Sequence, residues 1–220
     1  RGKKIGMIFQ EPGRSFDPLQ NIFSVFYETF KNSYPKITKN EAQKKATELL
    51  KETGIENAEQ RLKNFPHQFS GGQLQRIGIA LALAQECELL IADEPTTALD
   101  VTIQAQIIDL LLTLRKKHNI AIIFISHNID LVAQISDRIL VMYSGFVLES
   151  GDAKKLYNNP LHPYTKALLS SSPSFGSHYS KSPLTPIPGK VTDPAHPELG
   201  CPFYPRCFVA KQNPSLACST

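Results

Sequence analysis

The chain has 220 residues, 41% of them hydrophobic, with a formal net charge of +4 and four cysteines. That apolar content can bury the core of one large domain with an appendage, and no apolar run reaches the roughly 18 residues that a membrane-spanning helix needs. A solvated surface accounts for so modest a charge, so nucleic acid is not expected as a partner, and four cysteines point to a reducing compartment rather than a disulfide scaffold.

Residues 3–9, Lys-Lys-Ile-Gly-Met-Ile-Phe, read as a short apolar strand ending at Gln10. From Asp17 to about Phe69 the texture is helical and polar. Thr38-Lys-Asn-Glu41 is a capping box, Ala42, Ala46, Leu49 and Leu50 mark one helical face, and Gly54 sits where a C-terminal cap belongs. Ser70 caps a further helix with Leu74, Ile77, Leu81 and Ala84 on its apolar side. Leu89 to Ala92 form a buried strand, Ile103, Ile107, Leu110, Leu111 and Leu114 a helix face, and residues 120–125 another apolar strand. Such unbroken runs suit a parallel sheet covered on both sides. Residues 139–143 and 146–149, joined through Ser144-Gly145, read as an antiparallel hairpin, and residues 162–169 as a last helix with Pro163 near its start. Serine and proline dominate residues 171–197, which predicts an extended, poorly packed linker and tail.

Three places carry chemistry. Ser70-Gly-Gly-Gln-Leu-Gln-Arg76 is a glycine turn opening a helix, a shape that turns backbone N–H groups toward an anion. A serine N-cap is ordinarily structural, but Gly71 and Gly72 each cost the helix about 1 kcal/mol against alanine, and close approach of a phosphate would require the bare backbone. Asp93 and Glu94 end an apolar strand side by side. Adjacent carboxylates are costly unless a cation or a water uses them, so Asp93 fits Mg²⁺ and Glu94 a water to be polarised; the plainer alternative is a solvated turn. His127 follows the strand Ile122-Ile-Phe-Ile125 and Ser126, at the edge of a parallel sheet where ligands sit, although a lone histidine is more often a surface residue. Together these strings point to nucleoside triphosphate chemistry. Gln10, by physics alone, merely caps a strand end.

In this order the strings resemble the ATP-binding subunits of ABC transporters. Gln10 in Met-Ile-Phe-Gln-Glu-Pro is similar to the Q-loop, Ser70 to Gln73 to the signature, Leu89 to Glu94 to Walker B, Ala98-Leu-Asp100 to the D-loop, and His127 to the switch histidine. The run from Asp93 to Gln106, His162-Pro-Tyr-Thr-Lys-Ala-Leu168 and Gly200-Cys-Pro-Phe-Tyr-Pro-Arg-Cys207 more narrowly resemble oligopeptide and dipeptide importers. Gln73-Leu74 departs from the methionine and arginine usual there.

The resemblance implies an α/β fold, an ABC-type, P-loop NTPase-like domain with a parallel sheet core and an inserted helical subdomain, lacking its N-terminal part. Residues 1–16 would hold the first strand and Q-loop, 17–83 the helical subdomain, 84–169 the rest of the ATPase core, and 170–220 an irregular tail. The implied cofactors are ATP and Mg²⁺, with Asp93 and Gln10 toward the metal and Glu94 and His127 as catalytic groups. Ser70, Gly71, Gly72 and Gln73 would meet nucleotide held by a second ABC ATPase subunit (the same or a related chain), with Asp100 at the seam. Transmembrane permease subunits, and through them a substrate-binding protein, would be the further partners, which places the chain peripherally on the cytoplasmic face of the inner membrane. Cys201, Cys207 and Cys218 resemble a tail that can hold an iron–sulfur cluster. Such a cluster takes four thiolates and three are present, so free thiols are the alternative.

No Gly-x-x-x-x-Gly-Lys-[Ser/Thr] occurs in the sequence, and that loop supplies the phosphate cradle and its lysine. The expectation is therefore an N-terminally truncated ATPase that does not hydrolyse ATP alone. Two rival readings are a soluble ABC ATPase working on ribosomes or DNA, and a non-enzymatic remnant that binds a partner subunit.

Overall fold

The computed structural model describes residues 4–97, 99–171, 186–191, 200–213 and 218. The chain divides into two compact units, Arg1–His127 and Asn128–Thr220. Three apolar strands organise the first: β1 (Ile5–Ile8), β2 (Leu89–Asp93) and β3 (Ala121–Ile125) pair in parallel in the order β1-β2-β3. Ile8 lies opposite Ala92 and Asp93 opposite Ile125, so the carboxyl ends of all three strands finish at one edge.

Between β1 and β2 run α1 (Pro12–Ser15), α2 (Ile22–Ser33), α3 (Lys39–Glu52), α4 (Ala58–Arg61) and α5 (Gly71–Leu83); α6 (Val101–His118) joins β2 to β3. Local chemistry explains their starts. Asn21 accepts the Ser24 N–H at 2.9 Å ahead of α2. Thr38 and Glu41 form the predicted reciprocal cap of α3, with the Thr38 N–H donating to Glu41 Oε2 at 2.9 Å. Gly54, just past the end of α3, takes φ +78°, a left-handed conformation that glycine adopts without a Cβ penalty.

The apolar faces follow the helical period. Ile22, Phe26 and Phe30 of α2 pack with Ala42, Ala46 and Leu50 of α3, Leu62, and Ile77 and Ala80 of α5 in a helical core. Ile79, Ala82 and Leu83 of the same α5 enter a second core with Ile8, Leu90, Ala92 and the α6 residues Ile107, Leu111 and Leu114. Helix α5 is thus shared between two cores.

The sheet departs from expectation in one respect. Ile8, Leu90 and Ala92 are buried, but the alternate residues Ile5, Met7, Ile123 and Ile125 are exposed, so among the described residues one face is covered and the other is not. The topology supplies the reason: two successive right-handed crossovers stepping the same way along a sheet deposit their helices on one face. Unbroken apolar strands signalled two-sided burial, and the helices between them cover one side.

At the other ends of the long helices, Glu52 closes α3 and His118 closes α6. Glu52 Oε1 lies 2.9 Å from Lys117 Nζ and 2.6 Å from His118 Nε2. Burial alone would raise the Glu52 pKa; Lys117 and His118 more than offset it and hold the carboxyl below its ordinary value.

The second unit holds α7 (Ile129–Ile135), the hairpin β4 (Arg138–Tyr143) and β5 (Phe146–Asp152), α8 (Ala153–Asn158) and α9 (Pro163–Ser171). The hairpin turns where the sequence placed it. Ser144 and Gly145 both have positive φ, +50° and +86°, the signature of a type I′ turn, and the strands slip register between Val141 and Met142. Most of the expected linker lies outside the described residues. Beyond it, Phe203 and Cys207 ahead of α10 (Phe208–Gln212), and Ala210 within that helix, are buried with Tyr143. Arg206 is the reason. Its guanidinium donates to the carbonyls of Pro188 and Ile187, at 3.0 and 2.8 Å, and to the Tyr143 hydroxyl at 3.1 Å. Its rigid fork of donors reaches all three acceptors at once. Among the described residues no helix is long and apolar enough to cross a membrane.

Two predictions follow from this packing. Ile77→Ala and Ile79→Ala open different cores from one helix, and each should lower unfolding free energy by about 2–5 kcal/mol in urea titrations. Glu52→Gln should cost up to about 1 kcal/mol at neutral pH. Because the folded pKa of Glu52 is depressed, that stabilisation is fully present above the unfolded value and is lost as pH falls through the folded one. The gap between parent and variant should therefore close in acid, as read by urea midpoints across pH.

Candidate functional site

The site grows from the carboxyl ends of the three strands. Glu94 follows β2 directly. Its N–H donates to the Ile125 carbonyl at 3.0 Å, extending the sheet by one bond, and its own carbonyl accepts from the Thr97 N–H at 3.1 Å to begin a turn. Between those two bonds the backbone of Glu94 is forced to φ +42°. For a residue with a Cβ this left-handed conformation costs about 1–2 kcal/mol, and such strain persists only where surrounding bonds over-determine it.

The carboxylate of Glu94 is the point of convergence. Gln10 Nε2, beyond the end of β1, donates to Oε2 at 2.8 Å, and Thr97 Oγ1 donates to the same oxygen at 2.8 Å. His127 Nδ1, beyond the end of β3, lies 3.1 Å from Oε1. An ionised carboxylate only accepts, so the Gln10 amide must present its NH₂, and His127 must carry its proton on Nδ1, which leaves Nε2 as the other ring nitrogen. The hydrogen bond from Thr97, then that from His127, holds the Glu94 carboxyl below the usual glutamate range against the opposing effect of burial, and the His127 charge and the Gln10 hydrogen bond add lesser contributions. The Glu94 side chain is 25% exposed and the His127 side chain 77%. A base that stays ionised sits beside an imidazole open to solvent. Asp93, the last residue of β2, is half-buried, and among the described residues no hydrogen bond or ion pair engages its carboxylate.

The structure therefore brings Gln10, Glu94 and His127 together, with Asp93 adjacent in the chain. Two features escaped the sequence reading. Thr97 gave no signal beyond its place three residues after a strand-end acid, and the left-handed turn at Glu94 gave none at all, since glutamate has no preference for it.

Ser70 to Gln73 open α5 at a different place. The Ser70 Oγ accepts the Gln73 N–H at 3.3 Å, and Gln73 Oε1 accepts the Ser70 N–H at 3.1 Å, a reciprocal cap that explains both side chains structurally. The glycines separate. A Cβ on Gly72 would stand 2.9 Å from Ile103 Cγ2 of α6, whereas one on Gly71 would meet only Leu99 Cδ2, at 3.8 Å. Packing of α5 on α6 thus requires Gly72 to be bare, independently of any phosphate. Farther along α5, Arg76 donates to the Thr53 carbonyl at 2.9 Å and to Gln106 Oε1 at 3.0 Å, tying α5 to the end of α3 and to α6. Asp100 caps α6 by accepting the Ile103 N–H at 2.9 Å. Ala98, between the Glu94 turn and that cap, lies outside the described residues.

Comparison with known proteins adds family to geometry. The ABC transporter family profile matches residues 1–97, and that of the oligopeptide/dipeptide transporter C-terminal region matches residues 148–213. The oligopeptide transport ATP-binding protein OppD of Bacillus subtilis (strain 168) is 48% identical over 211 residues, which are 96% of this chain and 58% of OppD. The chain is thus similar to ABC transporter ATP-binding proteins over both of these segments. The dipeptide transport ATP-binding protein DppD of the same organism is 45% identical over 207 residues, 94% of this chain and 61% of DppD. The chain spans about three fifths of the length of these curated relatives. The fold agrees as well. A dimeric post-hydrolysis structure of the ATP-binding cassette MJ0796, bound to ADP and Pi, superposes with a TM-score of 0.61 at 30% identity, covering 70% of this chain and 64% of that one. CbiO1 from Clostridium perfringens, part of the ABC transporter complex CbiONQ, gives 0.61 at 32% identity, covering 71% and 60%.

The cysteines do not gather as the iron–sulfur expectation requires. Cys207 is buried in the tail core, its Sγ accepting the Ala210 N–H at 3.5 Å, while Cys201 meets Cys218 through backbone, N–H to carbonyl at 2.9 Å. The cysteines are free thiols, and among the described residues no group of three or more His, Cys, Asp or Glu is arranged to hold a metal ion. With Cys207 turned into packing, the donor set does not fit a cluster. Cys87 is 5% exposed, and burial pushes its thiol pKa up.

The glycine pair yields a direct test. Gly72→Ala should destabilise the fold by about 1–3 kcal/mol through overpacking against Ile103, partly offset by helix propensity, whereas Gly71→Ala should be neutral or slightly stabilising. Urea unfolding of the two variants side by side reads the difference.

Proposed function

We propose that this chain is the portion of an ATP-binding subunit, energising an ABC importer of peptides, that supplies the water-activating residues and the signature turn. The observation that carries the reading is the convergence of Gln10, Thr97 and His127 on one strained, ionised Glu94 at the carboxyl edge of a parallel sheet. In this reading Glu94 orients and deprotonates the attacking water, and His127 contacts the γ-phosphate and steadies that water. Asp93, with the carbonyl of Gln10, would hold Mg²⁺. That donor set suits a hard cation that takes one or two carboxylates and completes its shell with water and substrate phosphates. Bound there, Mg²⁺ neutralises charge developing on the phosphates.

Ser70, Gly71, Gly72 and Gln73 would face nucleotide held by a second ABC ATPase subunit, identical or related, with Asp100 at the seam between the two. The exposed backbone N–H groups at the start of α5 provide the anion contact. Residues 17–83 would form the helical subdomain that passes motion to transmembrane permease subunits, with 1–16 and 84–169 as ATPase core and 170–220 as a tail. The protein would then sit peripherally on the cytoplasmic face of the membrane, and a substrate-binding protein would act through the permeases. Peptide as cargo is supported by the names of OppD and DppD and by the match of residues 148–213. That same match weighs against a soluble ABC ATPase acting on ribosomes or DNA. The 220 residues hold no Gly-x-x-x-x-Gly-Lys-[Ser/Thr], so turnover by this polypeptide alone is not expected.

Glu94→Gln in the full reading frame that contains the chain decides the assignment. It should retain ATP binding and ATP-dependent dimerisation while phosphate release falls by at least about a hundredfold. Normal turnover by that variant would remove Glu94 from the mechanism.

A further inference from the structure

The proposed role of Glu94 asks more of its carboxylate than ionisation: the accepting oxygen must point at the water and stay there. Its three donors are not equivalent. Gln10 and His127 stand 84 and 33 residues away, beyond other strands, and in the reading above both turn toward nucleotide and metal. Thr97 lies in the same loop, three residues on. Its hydroxyl donates to Glu94 Oε2 at 2.8 Å, and its N–H donates to the Glu94 carbonyl at 3.1 Å. The two residues are therefore closed into a small ring by one backbone and one side-chain bond, across the turn in which Glu94 is held at φ +42°.

We propose that Thr97 is a positioning residue for Glu94, fixing the rotamer of its carboxylate when Gln10 and His127 engage the nucleotide. The proposal rests on the ATPase reading of Glu94. Because an ionised carboxylate offers no proton, the hydroxyl hydrogen of Thr97 is committed to Oε2, and Oε1 is left as the oxygen free to receive the proton of a water once His127 turns away. A carboxylate without this anchor rotates among its broad terminal torsions and spends less time in the productive orientation.

Thr97→Val keeps the shape of the side chain and deletes the donor; Thr97→Ser keeps the donor and deletes the methyl group. In the full reading frame, Thr97→Val should lower kcat about tenfold with the KM for ATP unchanged, and Thr97→Ser should restore most of the loss. At constant neutral pH and without nucleotide, the carboxylate ¹³C resonance of Glu94 should move in Thr97→Val and stay in place in Thr97→Ser. Parent-like kcat and resonance in Thr97→Val overturn the proposal, as does a serine variant as impaired as valine, which would assign the effect to packing of the methyl group. Should Glu94→Gln hydrolyse ATP normally, the ATPase reading fails by itself, while the resonance still reports whether Thr97 holds the carboxylate.

Discussion

Parallel pairing of three short strands in one register is what makes a site from residues scattered along the sequence. Gln10, Glu94 and His127 have no local reason to meet. They meet because Ile8 is fixed opposite Ala92, and Asp93 opposite Ile125, so that each strand releases its next residue at the same edge. A strand slipped by one residue would turn its buried side chains to the open face and carry its terminal polar group out of reach. The register is fixed in turn by Ile8, Leu90 and Ala92, which fit against α5 and α6 only when all three face the same way. Apolar packing several residues away thus determines the hydrogen bonds of the Glu94 carboxylate.

Local strain is concentrated where the chemistry is. Glu94 adopts a conformation that glycine would take freely, and it is kept there by a sheet bond on one side and a turn bond on the other. Gly72 shows the opposite arrangement, a residue whose lack of a side chain is used for packing against Ile103. Placing glycine at position 94 would relieve the backbone and remove the carboxylate. Placing a side chain at position 72 would improve helix propensity and force α5 away from α6. In both cases the local optimum yields to the surroundings.

Much of this was legible in the residues, for identifiable reasons. Strand positions followed from short unbroken apolar runs and helix positions from the 3.6-residue period, the cap of α3 from Thr38 and Glu41, and the hairpin turn from Ser144-Gly145. The edge position of Asp93, Glu94 and His127 followed from acids and a histidine ending apolar runs. What escaped depended on three-dimensional pairing. The bare face of the sheet depends on which side the crossovers fall, which no strand's own sequence records. Gly72 required knowledge of Ile103, 31 positions on by their numbers. The packing around Arg206 was not legible either, because composition does not record whether one arginine finds three acceptors.

Helix α5 connects these observations. It begins at the Ser70 cap, enters the helical core with Ile77 and Ala80 and the sheet core with Ile79, Ala82 and Leu83, and is fastened through Arg76 to the end of α3 and to α6. Close-packed interiors transmit displacement rather than absorb it. A push on the Ser70 turn from a neighbouring molecule therefore cannot be confined to the first turn of α5. It must be borne by the sheet core, whose strands end at Glu94, and by the helical core, whose outer helices α2 and α3 rest on the same residues. A single helix with two buried faces gives the signature turn and the Glu94 turn a common mechanical base, although they share no side-chain contact among those described.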